Sequence, residues 1–390
     1  MAYIFGTKSQ SVINEVLFTT TTTWACNYTC RAIVTTIGAG GGGAAARNDA
    51  AANSIMAAGG GAGGVAKSLL TLTSGTSYVA TIGGQGSYVA TAGDEANTGG
   101  TGGNSTFGVS GQPVLMTGNG GAGGTAGQGG SASSGTGGAG GAASGGNIFN
   151  ATGGEGGDAA CTAFSSSGFH IGAGGGGAAG GFGKGHRGGD AACTTGGYNK
   201  VTAGGGAGVW GEGGDATGLN GNGMELAGVG GSIWGKGHSF SEASDRNPFL
   251  AVLPQIYNYN WKFRGLYAIG QSTSYLTDST ETMQGQTKSI FDGLTGGAGK
   301  RTRQNNYAYS GPGAGGTGTF GSGAYATGAN MPGLFGGGGA DCTFAGSGGC
   351  YGGAGSFGAG GGGAAAYSNS NPYSGKGGGG LVVISILEYL

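Results

Sequence analysis

The sequence predicts a mainly β chain in two parts. One is a β-sandwich-like module formed by N- and C-terminal strands, and the other is a glycine-rich bundle of polyglycine II helices. Three observations predict it: β-branched apolar segments stand at both ends, glycine recurs every third residue in tracts between them, and proline is scarce. Of 390 residues, 106 are glycine and 6 are proline. Such a composition otherwise suggests a flexible, low-complexity chain. The terminal strands, and the Trp and Phe interleaved with periodic glycine, argue for order instead.

The N-terminal strands come first. "EVLFTTTTTW" (15–24) and "RAIVTTIG" (31–38) are β-branched runs of the kind that fills strands. Val65–Thr73, Tyr78–Ile82 and Tyr88–Thr91 read as three short strands, separated by the turn segments "SGT" and "GGQG". "PVLMT" (113–117) reads as another. At the far end "GLVVISILEYL" (380–390) is the most strongly β segment of the chain. The N-terminal strands are the only comparable set, so the two ends are expected to meet in one sheet or sandwich.

Between them the glycine period sets the geometry. In "GNGGAGGTAGQGG", Gly118, Gly121, Gly124, Gly127 and Gly130 recur every third residue. Polyproline II geometry has three residues per turn, about 3.1 Å of rise, and no internal hydrogen bonds. Its N–H and C=O groups project sideways and can pair with neighbouring helices where no side chain blocks the approach. Proline would remove the donors that such pairing uses, which separates this chain from collagen. As one helix, Gly118–Gly130 would span roughly 40 Å.

The tracts also repeat on a longer scale. "GGDAAC" occurs at Gly156–Cys161 and Gly188–Cys193, with "GGDATG" at Gly213–Gly218. Aromatic-Gly-Lys/Glu-Gly occurs at Phe182–Gly185, Trp210–Gly213 and Trp234–Gly237. These intervals suggest stacked, hairpin-like passes. Phe182, Trp210, Trp234 and Phe357 are the expected scaffold anchors, capping bundle faces with apolar area. The expected domains are an N-terminal β module at 1–117 completed by 380–390, glycine bundles at 118–240 and 311–379, and an aromatic-rich insertion at 241–310.

Several motifs carry the order of a known family. They are the strand-to-glycine step "RAIVTTIGAGGGGAAA" (31–46), "AGGVAKSLLTLTSGTSYVATIGGQG" (62–86), "GGNSTFG" (102–108) and the closing "GKGGGGLVVISILEYL" (375–390). In this order they resemble the glycine-rich tail-fibre tip adhesins and related receptor-binding proteins of tailed bacteriophages. The resemblance covers nearly the whole chain except 241–310. "WACNYTC" (24–30) departs from it, standing where many members have a Val-Pro-Ala-Gly-type turn. The resemblance implies polyglycine II bundles whose connecting loops contact the host surface.

Other chemistry is poorly supported by the residues. Charged residues are 8% and the net charge is −1, so no field draws nucleic acid or an anionic membrane. At this glycine content G-x-G-x-x-G arises by chance about six times, and no G-x-x-x-x-G-K-[ST] is present. "GGEGGDAAC" is similar to one calcium-binding nonapeptide with Asp158 as ligand, but Ala160 stands where a large apolar residue is needed. Asp158 is instead expected to accept backbone N–H groups. His170, His186 and His238 with Cys161 and Cys193 do not match zinc spacings. No nucleophile–base pairing is visible. No enzyme, cofactor or metal is therefore expected.

The six cysteines are expected to be mostly buried thiols, with Cys26/Cys30 and Cys342/Cys350 close enough in sequence to pair in an oxidising setting. The first residues show no signal-peptide pattern, so no leader is expected, and no apolar run approaches the ~20 residues of a membrane span. The expected role is a virion structural protein, made in a host cytoplasm and acting outside as a tail-fibre receptor-binding protein. Its expected partners are other virion proteins and a host surface protein or glycan, with a homotrimer drawn from phage-fibre analogy. The expected contact residues are Tyr257, Tyr259, Trp261, Phe263 and Tyr267, which alternate along one strand face, together with Phe164, Phe169, His170 and Tyr198. The alternatives are a decoration protein that binds no receptor and a glycine-rich ice-binding protein.

Overall fold

A computed structural model gives the fold. It describes residues 14–48, 54–129, 132–162, 170–180, 183–193, 200–209, 211–218, 225–228, 231, 239–241, 300–301, 319–321, 335–343, 350–367 and 371–390. These residues are mainly β, in several sheets.

The two chain ends do meet. One five-stranded antiparallel sheet has the order Asn14–Phe18, Leu381–Tyr389, Cys30–Ile37, Val65–Leu72, Phe149–Ala151. The closing strand thus lies second, between two N-terminal strands, running from Leu381 opposite Ile37 to Tyr389 opposite Cys30 with an irregularity between Ile386 and Glu388. A second antiparallel sheet runs Ala143–Ser144, Val114–Gly118, Ser105–Val109, Ser77–Thr81, Thr22–Ala25. Alternation explains the faces: Cys30, Ala32 and Val34 are buried, and the residues between them only partly. One core joins both sheets, with Val34, Leu72, Val382 and Ile384 from the first meeting Tyr78, Phe107 and Met116 from the second. Tyr78 stacks on Phe107 at 5.4 Å and accepts the Thr73 N–H at its hydroxyl, 3.0 Å away.

Two expected strands come out differently. The run 15–24 divides between the sheets, because the chain crosses from one to the other at residues 19–21. Tyr88–Thr91 contributes only a single bridge, Ala90 to Tyr373.

Glycine threads leave the sandwich directly from its strands. Segment 38–44 follows Cys30–Ile37, 58–64 leads into Val65–Leu72, and 374–380 leads into Leu381–Tyr389. In thread 38–44 the backbone donors rotate with a period of three. Gly38, Gly41 and Ala44 donate to Gly64, Gly61 and Ala58; Ala39 and Gly42 donate to Gly103 and Gly100; Gly40 and Gly43 donate to Gly378 and Gly375, all at 2.8–3.0 Å. Three further threads donate back: Gly121 and Gly124 to Ala39 and Gly42, Gly361 and Ala364 to Gly41 and Ala44, and Gly86 to Gly40. Each thread of this kind therefore has six neighbours. Thread 58–64 repeats the pattern, donating to 119–125, 152–158 and 358–363 and accepting from 38–44, 136–142 and 174–180.

This rotation leaves no face free for side chains. A Cβ on Gly60 would collide with the Gly41 carbonyl, and one on Gly41 with the Ala122 carbonyl. Alanine is used where the interstices admit a methyl: Ala39, Ala44, Ala58 and Ala62 are fully buried.

The thread expected over Gly118–Gly130 is shorter than its glycine period. Gly118 ends a sandwich strand, 119–125 runs as thread, and Ala126–Gly129 pairs with Ser54–Ala57 in another sheet. The glycine runs 38–44, 58–64 and 99–103, within the expected β module, pass through the bundle as well.

An apolar collar joins sandwich to bundle. Ile37, Val65, Leu381, Ala151 and Ala179 are buried together, with Phe149, Phe335 and Phe357 packed on them. Phe357 is the one expected anchor among the described residues; Phe182, Trp210 and Trp234 lie outside them. Gly358 follows it at φ 70°, where a Cβ would meet the Ile37 side chain.

The thread packing yields a paired prediction. Gly60→Ala should lower unfolding stability by about 2 kcal/mol or more, because the added methyl has only backbone to displace. Gly84→Ala, in open space, should be neutral or stabilising by up to about 1 kcal/mol. Urea denaturation of the two variants beside the parent chain measures both.

Candidate functional site

Beyond the threads, away from the sandwich, the chain enters short ladders built mainly from parallel strands. Ser54–Ala57, His170–Ala173, Lys200–Ala203 and Glu225–Gly228 run parallel, with Ala126–Gly129 and Ser239–Ser241 at the edges. A second ladder holds Ala159–Cys161, Ala191–Cys193 and Ala216–Gly218, edged by Ser134–Gly135. A third runs Lys300–Arg301, Thr319–Gly321, Asp341–Thr343, Ala364–Tyr367, Ala45–Asn48, Glu95–Asn97. Cys350–Tyr351 and Pro372–Tyr373 form a fourth.

Small side chains let these ladders stack closely. Ile55, Ala57, Ile171 and Ala173 from the first ladder pack with Cys342, Ala46 and Ala365 from the third. Met56, on the opposite strand face from Ile55, packs with Ala159, Cys161, Ala191 and Cys193 of the second. Cys350 packs with Ala364 and Ala366. The result is a layered tier at the far end of the bundle. From it, the chain leaves and returns between residues 48 and 54, 129 and 134, 161 and 170, 193 and 200, 218 and 225, 343 and 350, and 367 and 372. Among the described residues, these seven pairs of consecutive strands thus open toward the same end of the bundle.

A polar spine borders the second ladder. The three "GGDA" units stand in register, Ala159 beside Ala191 and Ala191 beside Ala216. Each aspartate accepts the backbone N–H of the preceding one: Asp190 Oδ1 from Asp158 at 2.8 Å, and Asp215 Oδ1 from Asp190 at 3.0 Å. Asp158 Oδ1 accepts the Gly137 N–H at 2.6 Å. Arg187 bridges the stack, with one guanidinium nitrogen 2.6 Å from Asp190 Oδ2 and another 2.6 Å from Asp158 Oδ2. Burial raises the Asp190 pKa above the usual carboxylate value, against the opposing pull of its hydrogen bonds from Arg187 and the Asp158 N–H and of the Arg187 charge. Because the folded pKa lies above the unfolded one, this group's contribution to stability is full below the unfolded value near 3.8 and falls as pH rises through the folded value.

The Asp158 carboxylate is thus engaged by backbone and Arg187. Among the described residues no group of three or more His, Cys, Asp or Glu is placed to hold a metal.

A profile of the glycine-rich domain family matches residues 17–246, more than half of the chain. The chain belongs to the glycine-rich domain family. No curated protein matches it. The matched span of this glycine-rich domain starts in the first sandwich strand and ends past Ser239–Ser241, well before the closing strand.

The expected contact residues fall unevenly on this frame. Tyr257, Tyr259, Trp261, Phe263 and Tyr267 lie outside the described residues, as do Phe164, Phe169 and Tyr198. The last three belong to connections that leave the layered tier, between Cys161 and His170 and between Cys193 and Lys200. His170 is corrected: it opens a parallel strand and its side chain is fully buried, so it cannot touch an external partner.

Two tyrosines escaped the sequence reading. Tyr351 and Tyr373 stand side by side on the fourth ladder with ring centroids 5.1 Å apart and planes within 9°. Tyr351 remains exposed, as does Tyr88, over whose ring Lys376 sits at 5.3 Å. Their signal is a tyrosine placed just before a glycine thread, in "CYGG" and "NPYSG".

Substitution of Asp190 separates its two roles. Asp190→Asn keeps an acceptor for the Asp158 N–H and should cost under about 1 kcal/mol, the usual value of a partly exposed ion pair. Asp190→Ala strands that N–H and should cost about 1–3 kcal/mol. Denaturant titrations at neutral pH compare the two.

Proposed function

We propose that this glycine-rich domain is a receptor-binding component of a tailed-phage fibre tip. Its threads serve as polyglycine II helices, a rigid mount from which connecting loops meet a host surface protein or glycan. The observation that carries the reading is that, among the described residues, seven pairs of consecutive tier strands open toward one end of a bundle whose backbone is hydrogen-bonded on every side.

A period of three in the donors is what helices with three residues per turn require. At about 3.1 Å per residue, a seven-residue thread spans roughly 22 Å, short enough to hold both ends stiffly. Loops held this way lose less entropy on binding than loops on a mobile support. The sandwich stands at the opposite end, suited to attachment to other virion proteins. The sequence resemblance to phage adhesins supports the same division of labour.

The purified chain should adsorb to host cells and compete with phage for infection. Joint replacement of Phe164, Phe169 and Tyr198 by alanine should cut adsorption at least tenfold with the melting temperature unchanged, and Tyr257→Ala with Trp261→Ala tests the aromatic insertion in the same way. Wild-type protein that neither adsorbs nor competes would instead favour a fibre or decoration protein that binds no receptor.

A further inference from the structure

All six cysteines of the described structure are buried and outside any disulfide, yet their surroundings differ. Cys342 donates to the Thr202 carbonyl at 3.1 Å, whereas Cys350 donates to the Asp341 carbonyl at 3.2 Å, and the two lie in separate apolar clusters. That pair is held apart. Cys161 and Cys193 are directly opposed on neighbouring parallel strands, deep between two ladders.

Cys26 and Cys30 are placed otherwise. Both lie in one apolar cluster of the sandwich core at 1% exposure, and the Cys26 thiol donates to the Tyr28 carbonyl at 3.0 Å within the turn they flank. Cys26 directly follows one sheet's edge strand, Thr22–Ala25, and Cys30 opens the strand Cys30–Ile37 of the other sheet. The turn between them is pinned from outside. Cys26 N–H donates to Thr76 O at 3.0 Å and Gly75 N–H to Cys26 O at 2.8 Å. Ser74 N–H donates to Thr29 Oγ1 at 3.1 Å and Ser74 Oγ to Asn27 O at 2.9 Å. The last residue joins in, Leu390 N–H donating to Thr29 O at 2.9 Å. The turn carries Tyr28, 68% exposed and edge-on to Tyr389 at 5.8 Å.

We propose that Cys26 and Cys30 are a site of oxidative closure, forming an intramolecular disulfide that locks the Asn27–Thr29 turn when the reduced protein meets a pool of small-molecule disulfide. One thiol loses its proton, and its thiolate attacks the small disulfide, forming a mixed disulfide and expelling one small thiolate. The second thiol, deprotonated in turn, attacks the protein sulfur of that mixed disulfide and expels the other small thiolate. Two electrons pass from the cysteines to the small disulfide, and the two cysteine protons end on the two released thiols. The staple bridges the two sheets at the end of the sandwich away from the threads. It goes beyond the receptor reading and does not depend on it, so failure of either leaves the other standing.

The pace of closure has a pH signature. Burial, with the neighbouring Cys26 adding to it, raises the Cys30 pKa to about 11. Only the thiolate reacts, so closure should be slow at neutral pH and accelerate as pH approaches that value.

The test starts from the full chain, fully reduced, incubated in native buffer with glutathione disulfide. Peptide mapping should show Cys26 joined to Cys30 with loss of two hydrogens, while Cys161, Cys193, Cys342 and Cys350 stay free and alkylate only after denaturation. Amide exchange at Tyr28 and Thr29 should slow by roughly tenfold in the oxidised form. Cys26→Ser should abolish the new bond, and the wild-type mapping stands by itself should that variant fail to fold. Persistence of both thiols, a stable glutathione adduct without ring closure, or a bond between any other pair would overturn the proposal.

Discussion

Lateral backbone hydrogen bonding with a period of three is the constraint on which the rest of this structure depends. A thread that donates to three neighbours in rotation and accepts from three others has no direction left for a side chain. The composition follows from that. Glycine holds positions such as Gly41 and Gly60, where a Cβ would strike a carbonyl, and alanine enters only where a methyl fits, as at Ala39 and Ala62. Proline would delete a donor from a set in which nearly every donor has a partner. A β-sheet pairs its backbone in two directions and uses the other two for side chains; the threads pair in six.

The same constraint explains why threads are short and anchored at both ends. Ordering a residue's backbone opposes folding by about 1–2 kcal/mol, and one net hydrogen bond returns roughly 0.5–1.5 kcal/mol. Threads alone therefore have little margin. The described structure gives each thread ordinary apolar structure near its ends. On one side is the sandwich core around Val34, Phe107 and Ile384, and the collar around Ile37 and Leu381. On the other are the layers around Ile55, Ile171 and Met56. The closing strand shows the coupling directly, because thread 374–380 completes the coordination of thread 38–44 and then inserts beside the strand from which thread 38–44 came.

How much of this was legible in the sequence depends on whether a residue carries its own signal. The β-branched run 381–387 announces a strand, and the terminal strands were the only plausible partners. The "GGDAAC" units announced a repeat, and their aspartates accept backbone N–H groups in the ladder. The identity of each thread's neighbours was not legible. Gly40 pairs with Gly378 and Gly60 with Gly361, and a residue without a side chain bears no mark of its partner. Glycine period misled at Gly127, where the chain had already turned into a strand. Arg187 gave no hint of spanning two repeats, since its partners are brought together by register. His170 was expected at an external contact, whereas its burial is created by strands far away in sequence.

A support of this kind separates the stability of the mount from the chemistry of what it carries. Residues inside the bundle are constrained by neighbouring backbone to glycine or alanine, so variation there is expensive. Connections leaving the layered tier begin and end on strands whose register is fixed by the ladders, as Cys161 and His170 are by their neighbours Cys193 and Lys200. A change of side chains or length between those fixed points alters what is displayed without disturbing the hydrogen bonds that hold the display. A scaffold held by peptide groups places its sequence freedom in its loops, and the proposed receptor-binding role draws on that property.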